Sequence, residues 1–139
     1  MKQHLSQGTT LVVDRYSFSG AVYSAAKQND SLPLEWAWNP EIGLLKPDFV
    51  LFLDISPEDA ATRGNYGQER YETGEMQKSV RRMFKQLFAR LPEVKVFEIN
   101  AGRGLDEVAS QIRGVYLKHD SMYSGTDLPL ETFEQLKSV

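Results

Sequence analysis

Thr10-Leu11-Val12-Val13-Asp14-Arg15-Tyr16-Ser17-Phe18-Ser19-Gly20-Ala21-Val22-Tyr23 is the stretch whose reading decides the fold. Leu11-Val12-Val13 is a short apolar, β-branched run of the kind that forms a buried strand. A carboxylate and a guanidinium close it. Phe18, Ala21, Val22, Ala25 and Ala26 then recur at helical spacing, which predicts a core helix over 17–27. Strand then helix is the grammar of an α/β sheet, and in such sheets ligands gather outside the carboxyl ends of the strands. An Asp at that position can help hold a nucleotide's magnesium, and an Arg beside it can grip a phosphate bidentately. For Asp14-Arg15 taken alone, the plainer reading is the better one: a charged pair that ends a strand and meets water.

Working outward, Pro47 pre-sets a turn before Phe49-Val50-Leu51-Phe52-Leu53-Asp54-Ile55, whose apolar front reads as a strand buried on both faces, as parallel sheets require. Val94 to Ile99 makes a third strand. Ser56-Pro57-Glu58-Asp59 is a helix start, with Ser56 as cap and Pro57 in the first turn. Met76, Val80, Met83, Phe84, Leu87, Phe88 and Leu91 form the apolar stripe of a long helix, with Arg81, Arg82 and Lys85 on its solvated side. Leu105, Val108, Ala109, Ile112, Val115 and Tyr116 predict a closing helix. Residues 1–8 look like a helix tail stopped by Gly8. Between 28 and 48 the chain is irregular, with room for a short helix from Leu34 to Trp38 and with Trp36 and Trp38 as packing anchors. Arg63 to Tyr71 is too polar and too rich in glycine for core. Two arginines in such a loop either close over phosphates as a lid or simply meet water, and the segment alone favours neither. From Lys118 onward the periodicity fades. The expected organisation is therefore one domain over 1–118 and an unassigned tail over 119–139, within which Leu128 to Leu136 could form a short helix. His4 and His119 are isolated, without metal-ligand spacing.

Composition narrows the function classes. A length of 139 residues allows one domain with a real core. The formal charge of −3 argues against a general nucleic-acid binder, whose footprint is basic. The absence of cysteine excludes a disulfide framework and a thiolate zinc site. No apolar run approaches the roughly 18 residues of a membrane span, and no secretory core opens the chain. Cytoplasm is the default location, with nucleus and mitochondrion left open.

Three motifs together carry a resemblance. Asp14-Arg15-Tyr16-x-x-Ser19-Gly20-x-x-Tyr23, Pro40-Glu41-Ile42-Gly43-Leu44-x-Lys46-Pro47-Asp48 and Arg63-Gly64-x-x-Gly67-x-Glu69-Arg70-Tyr71-Glu72 are similar, in order and spacing, to thymidylate kinases over about residues 5 to 117. The resemblance implies a P-loop nucleoside monophosphate kinase fold of class α/β, here with three parallel strands and flanking helices. It implies the reaction ATP + dTMP → ADP + dTDP with Mg²⁺. By the same resemblance Asp14 serves the metal, through water, and the reacting phosphates. Arg15 takes the dTMP phosphate, and Arg63 and Arg70 belong to a lid that neutralises transition-state charge. Ser19, Gly20, Tyr23, Tyr71 and Gln77 line the dTMP side, while Arg63 and Asn100-Ala101-Gly102 lie against ATP. The family forms dimers, so a homodimer or pairing with a full-length relative is implied, with no nucleic-acid or membrane partner.

One family element is missing from the sequence. G-x-x-x-x-G-K-[ST], whose backbone amides cradle phosphates, does not occur in these 139 residues, and neither does any Gly-Lys pair. Removing a single preorganised donor costs roughly 10²–10³ in rate, so a chain without the whole cradle is expected to be inactive on its own. The chain thus reads as a truncated thymidylate kinase. The alternatives are a non-catalytic nucleotide-binding or dimerisation module, or the product of an incomplete gene model.

Overall fold

The structure is a computed structural model and describes residues 1–27, 32–62, 74–123 and 129–138. It opens with a short helix α1 (Lys2–Ser6), which ends as expected at Gly8 with φ +77°. Helix α2 (Ser17–Ala25) follows, and Phe18, Ala21, Val22 and Ala26 are buried as the spacing predicted. Helix α3 (Leu34–Trp38) runs into a 3₁₀ turn (Asn39–Glu41) and packs against α2. Of the two tryptophans, only Trp38 is an anchor: it is 1 % exposed, whereas Trp36 faces solvent.

Strand β1 (Val50–Asp54) pairs in parallel with β2 (Val96–Asn100), from Val50 opposite Val96 to Asp54 opposite Asn100. Between them lie helix α4 (Pro57–Ala61) and helix α5 (Gly74–Ala89). Helix α6 (Leu105–Tyr123) closes the αβ succession and runs past the expected end at Tyr116. Helix α5 covers one face of the sheet through Phe52, whose ring lies 4.9 Å from Phe84 and 5.4 Å from Phe88. Helix α6 covers the other through His119, 4.6 Å from Phe97. The stripe on α5 behaves as predicted: Val80, Leu87 and Leu91 are buried, with Met76, Met83, Phe84 and Phe88 packed around them.

Two expectations fail at the sheet. Among the described residues there are two parallel strands rather than three, and Leu11–Asp14 is not one of them. A strand exists by virtue of its ladder, and no backbone hydrogen bond among the described residues engages residues 10–15. Val12 is accordingly 93 % exposed. For the same reason β1 is not buried on both faces: none of its residues is fully buried and Leu53 is exposed. One strand neighbour and one helix per face do not cover it.

The tail also departs from expectation. Residues 129–138 form no helix but run extended across the molecule. Thr132 bridges Leu45 in antiparallel fashion, the Phe133 N–H donates to Leu44 O at 2.9 Å, and Gly43 N–H donates to Phe133 O at 3.0 Å. Gly43 sits at φ +86°, where a side chain would be strained, and that turn aims its N–H at the strap. Phe133 is 2 % exposed, with ring centroids 5.0 Å from Trp38, 5.4 Å from Phe18 and 6.2 Å from Tyr16. A lone aromatic in an aperiodic stretch is thus a central core residue.

Candidate functional site

The residues singled out from sequence fall into two groups and one remainder. The remainder is Arg63, Arg70 and Tyr71, which lie outside the described residues.

The first group surrounds the start of α2. Asp14 and Arg15 stand exposed at the turn before the helix, although no strand carries them there. Arg15 has φ +56°, and among the described residues no other side-chain-bearing residue has a positive φ. A left-handed backbone at a residue other than glycine costs free energy and persists only where its surroundings enforce it. Among the described residues neither Asp14 nor Arg15 has an ionic partner, so one carboxylate and one guanidinium are open to solvent or ligand. Tyr16 caps the helix, its carbonyl accepting from Ser19 N–H at 3.0 Å. Ser19, Gly20 and Tyr23 follow on α2. Gly20 faces Glu41: a Cβ there would lie 3.6 Å from Glu41 Oε1, an ordinary contact. Gln77 belongs to α5, which packs on α2; Ser79 Oγ donates to Ala26 O at 3.5 Å across that interface. Arg15 thus stands just before α2, Ser19, Gly20 and Tyr23 lie along it, and Gln77 is on α5, a helix that packs against α2.

The second group lies at the carboxyl end of the sheet. Asn100 ends β2 and its Oδ1 accepts from Gly102 N–H at 2.9 Å, while Ala101 N–H donates to Asp54 O at 2.8 Å. Gly102 passes so close to α4 that a Cβ would stand 2.7 Å from Asp59 Oδ2, so glycine permits this approach. Asp59 is itself held by the α4 cap: Ser56 Oγ accepts its N–H at 3.0 Å and donates to its Oδ2 at 2.8 Å.

Sequence reasoning missed the ion pair beside this loop. Asp54 Oδ2 accepts from Arg81 Nη2 at 2.5 Å and Nε at 3.1 Å, with the carboxylate side chain only 16 % exposed. That hydrogen bond, more than burial can offset, raises the Arg81 guanidinium above its usual range. The signal was present, because Asp54 closes an apolar strand just as Asp14 was read to do. Arg81 is partly exposed, its side chain 40 % accessible, but is tied to the sheet end rather than free on the solvated face. It also lines a groove of about 510 Å³ along α5 with Pro57, Lys78, Arg82 and Lys85, a cationic surface beside the sheet end.

A parallel β-α-β unit with a polar loop at its carboxyl end is an α/β unit of the class that takes ligands outside the strand ends. Comparison with known proteins makes the assignment. The thymidylate kinase family model matches residues 1–112. A thymidylate kinase of Arabidopsis thaliana is 50% identical over 117 residues, covering 84% of this chain and 42% of that protein. The thymidylate kinase of Homo sapiens is 43% identical over 130 residues, covering 94% of this chain and 59% of that protein. A solved thymidylate kinase from Candida albicans superposes with a TM-score of 0.73 at 25% identity, covering 92% of this chain and 63% of that one. The chain belongs to the thymidylate kinase family. It spans about half the length of the curated relatives it matches.

Among the described residues no helix is long and apolar enough to cross a membrane, and no group of three or more His, Cys, Asp or Glu side chains could hold a metal.

Proposed function

We propose that these residues form the monophosphate-binding side of a thymidylate kinase, whose family reaction converts dTMP and ATP to dTDP and ADP. The observation that carries the reading is Arg15: an exposed guanidinium with no ionic partner among the described residues, on a strained turn at the head of α2, where Ser19, Gly20 and Tyr23 follow on the same helix. Arg15 takes the dTMP phosphate as a charge-assisted, bidentate donor, and Ser19, Tyr23 and Gln77 line the nucleoside. Asn100-Ala101-Gly102, at the sheet end, faces the purine nucleotide. Arg63 and Arg70 supply positive charge to the transferred phosphoryl group and Tyr71 borders dTMP; these three roles rest on the motif alone.

Magnesium fits the donor set. The Asp14 carboxylate is a hard oxygen donor, exposed and without an ionic partner among the described residues. A magnesium ion that keeps several waters needs only one or two carboxylates besides phosphate oxygens. When bound it neutralises charge on those phosphates.

Without a G-x-x-x-x-G-K-[ST] cradle in its sequence, the 139-residue polypeptide binds dTMP but does not turn it over. A coupled assay of ADP release with magnesium-ATP and dTMP tests this. The expected result is no turnover above background. A rate within the range of about 1–100 s⁻¹ typical of kinases would overturn it.

A further inference from the structure

We propose that the C-terminal strap, residues 129–138, is a positioning element for Arg15, acting through contact of the Phe133 ring with Tyr16. This rests on the assignment of Arg15 to the dTMP phosphate.

The strained backbone at Arg15 persists only where its surroundings enforce it. On its N-terminal side no backbone hydrogen bond among the described residues holds residues 10–14. On its C-terminal side stands Tyr16, and Phe133, 6.2 Å away, is the aromatic ring against it. Phe133 is in turn caged by Phe18 at 5.4 Å and Trp38 at 5.0 Å. The strap is anchored at both ends. Lys46 pairs with Glu131, and Lys46 N–H donates to Glu131 O at 2.9 Å. Trp38 Nε1 donates to Glu134 O at 2.9 Å, Arg90 Nε donates to Lys137 O at 2.9 Å, and Lys137 N–H donates to Arg90 O at 3.2 Å. Arg90 also bonds Glu35, whose carboxyl that bond holds below the ordinary carboxylate range. The strap therefore ties α3 and the end of α5 together and presents one ring to the residue after Arg15. Helix α2 touches the strap through Phe18 and is also held by α3 and α5.

This arrangement separates two effects that general destabilisation would not separate. Loss of the Phe133 ring releases the Arg15 turn while the contacts of α2 with α3 and α5 remain, so the phosphate contact weakens more than the nucleoside contact does. The experiment is a calorimetric titration of dTMP and thymidine into the wild-type polypeptide, Phe133→Ala, Phe133→Leu and Arg15→Ala. Wild type is expected to prefer dTMP by about 10- to 100-fold, the reach of a charge-assisted bond, and Arg15→Ala to lose that preference. Both Phe133 variants are expected to lose at least about fivefold of the preference while thymidine affinity stays within about twofold. Phe133→Leu keeps most of the apolar volume and decides the matter if Phe133→Ala does not fold. Native-state amide exchange on wild type adds a test that needs no variant. The Ser19 N–H, bonded to Tyr16 O, must open together with the Phe133 N–H.

If Arg15→Ala removes the preference and folded Phe133 variants retain it, the strap proposal fails and the site reading stands. Parallel weakening of both ligands, or separate opening of the two amides, overturns it as well. No preference in wild type would overturn the site reading and this inference with it.

Discussion

His119 looked isolated in the sequence and is a buried ionisable residue of the fold. Its ring is buried against Phe97, with Phe49 6.2 Å away, and its Nδ1 stands 3.2 Å from Lys95 Nζ. A lysine ammonium only donates, so Nδ1 is the acceptor and the imidazole is neutral. Burial, then the charges of Lys95 and Lys118, pull its pKa below the ordinary 6.5. The unfolded chain thus takes up a proton below pH 6.5 that the folded chain refuses. The neutral ring's contribution is complete above that pH and is lost as pH falls from there toward the depressed folded value. The urea midpoint is expected to drop between pH 7.5 and 5.5, and His119→Gln to flatten the drop. An equal slope in both proteins would refute the assignment.

At the scale of elements, α4 shows how a local signal supports a distant loop. Ser56 caps it reciprocally with Asp59, and the Asp59 carboxylate lies against the Gly102 backbone. Ser56→Ala is expected to lower stability by about 1 kcal/mol, the usual value of such a cap, read as a lower urea midpoint at unchanged m-value. Chemical-shift changes should spread to Asn100–Gly104; confinement of those changes to α4 would show that the cap and the loop are uncoupled.

For the whole molecule the strap counts as much as any helix. Truncating a buried Phe typically costs about 3–5 kcal/mol, and each strap hydrogen bond adds about 1 kcal/mol. Against total stabilities of about 5–15 kcal/mol, deleting residues 129–139 removes a large part of what holds the domain. The deletion is expected to shift Trp38 emission to the red and abolish a cooperative thermal transition. An unshifted spectrum with a sharp transition would mean that the core closes without Phe133.

The sequence by itself determined what is encoded within a few turns of chain. Periodicity gave α2 and α5 with their buried faces, Ser56-Pro57 gave the start of α4, and three spaced motifs gave the family. Each depends on residues close in sequence, whose side chains meet because the helix repeats every 3.6 residues. Only tertiary structure decided the rest. Leu11-Val12-Val13 has every local mark of a strand, yet a strand requires a hydrogen-bonded neighbour and none pairs with it among the described residues. Asp54 and Arg81, Lys95 and His119, and Phe133 and Tyr16 are 27, 24 and 117 positions apart, and nothing local marks them as partners. Such pairs follow from which surfaces the packed layers bring together. A strand ladder, a buried imidazole and an aromatic strap are properties of that packing, not of any short window of residues.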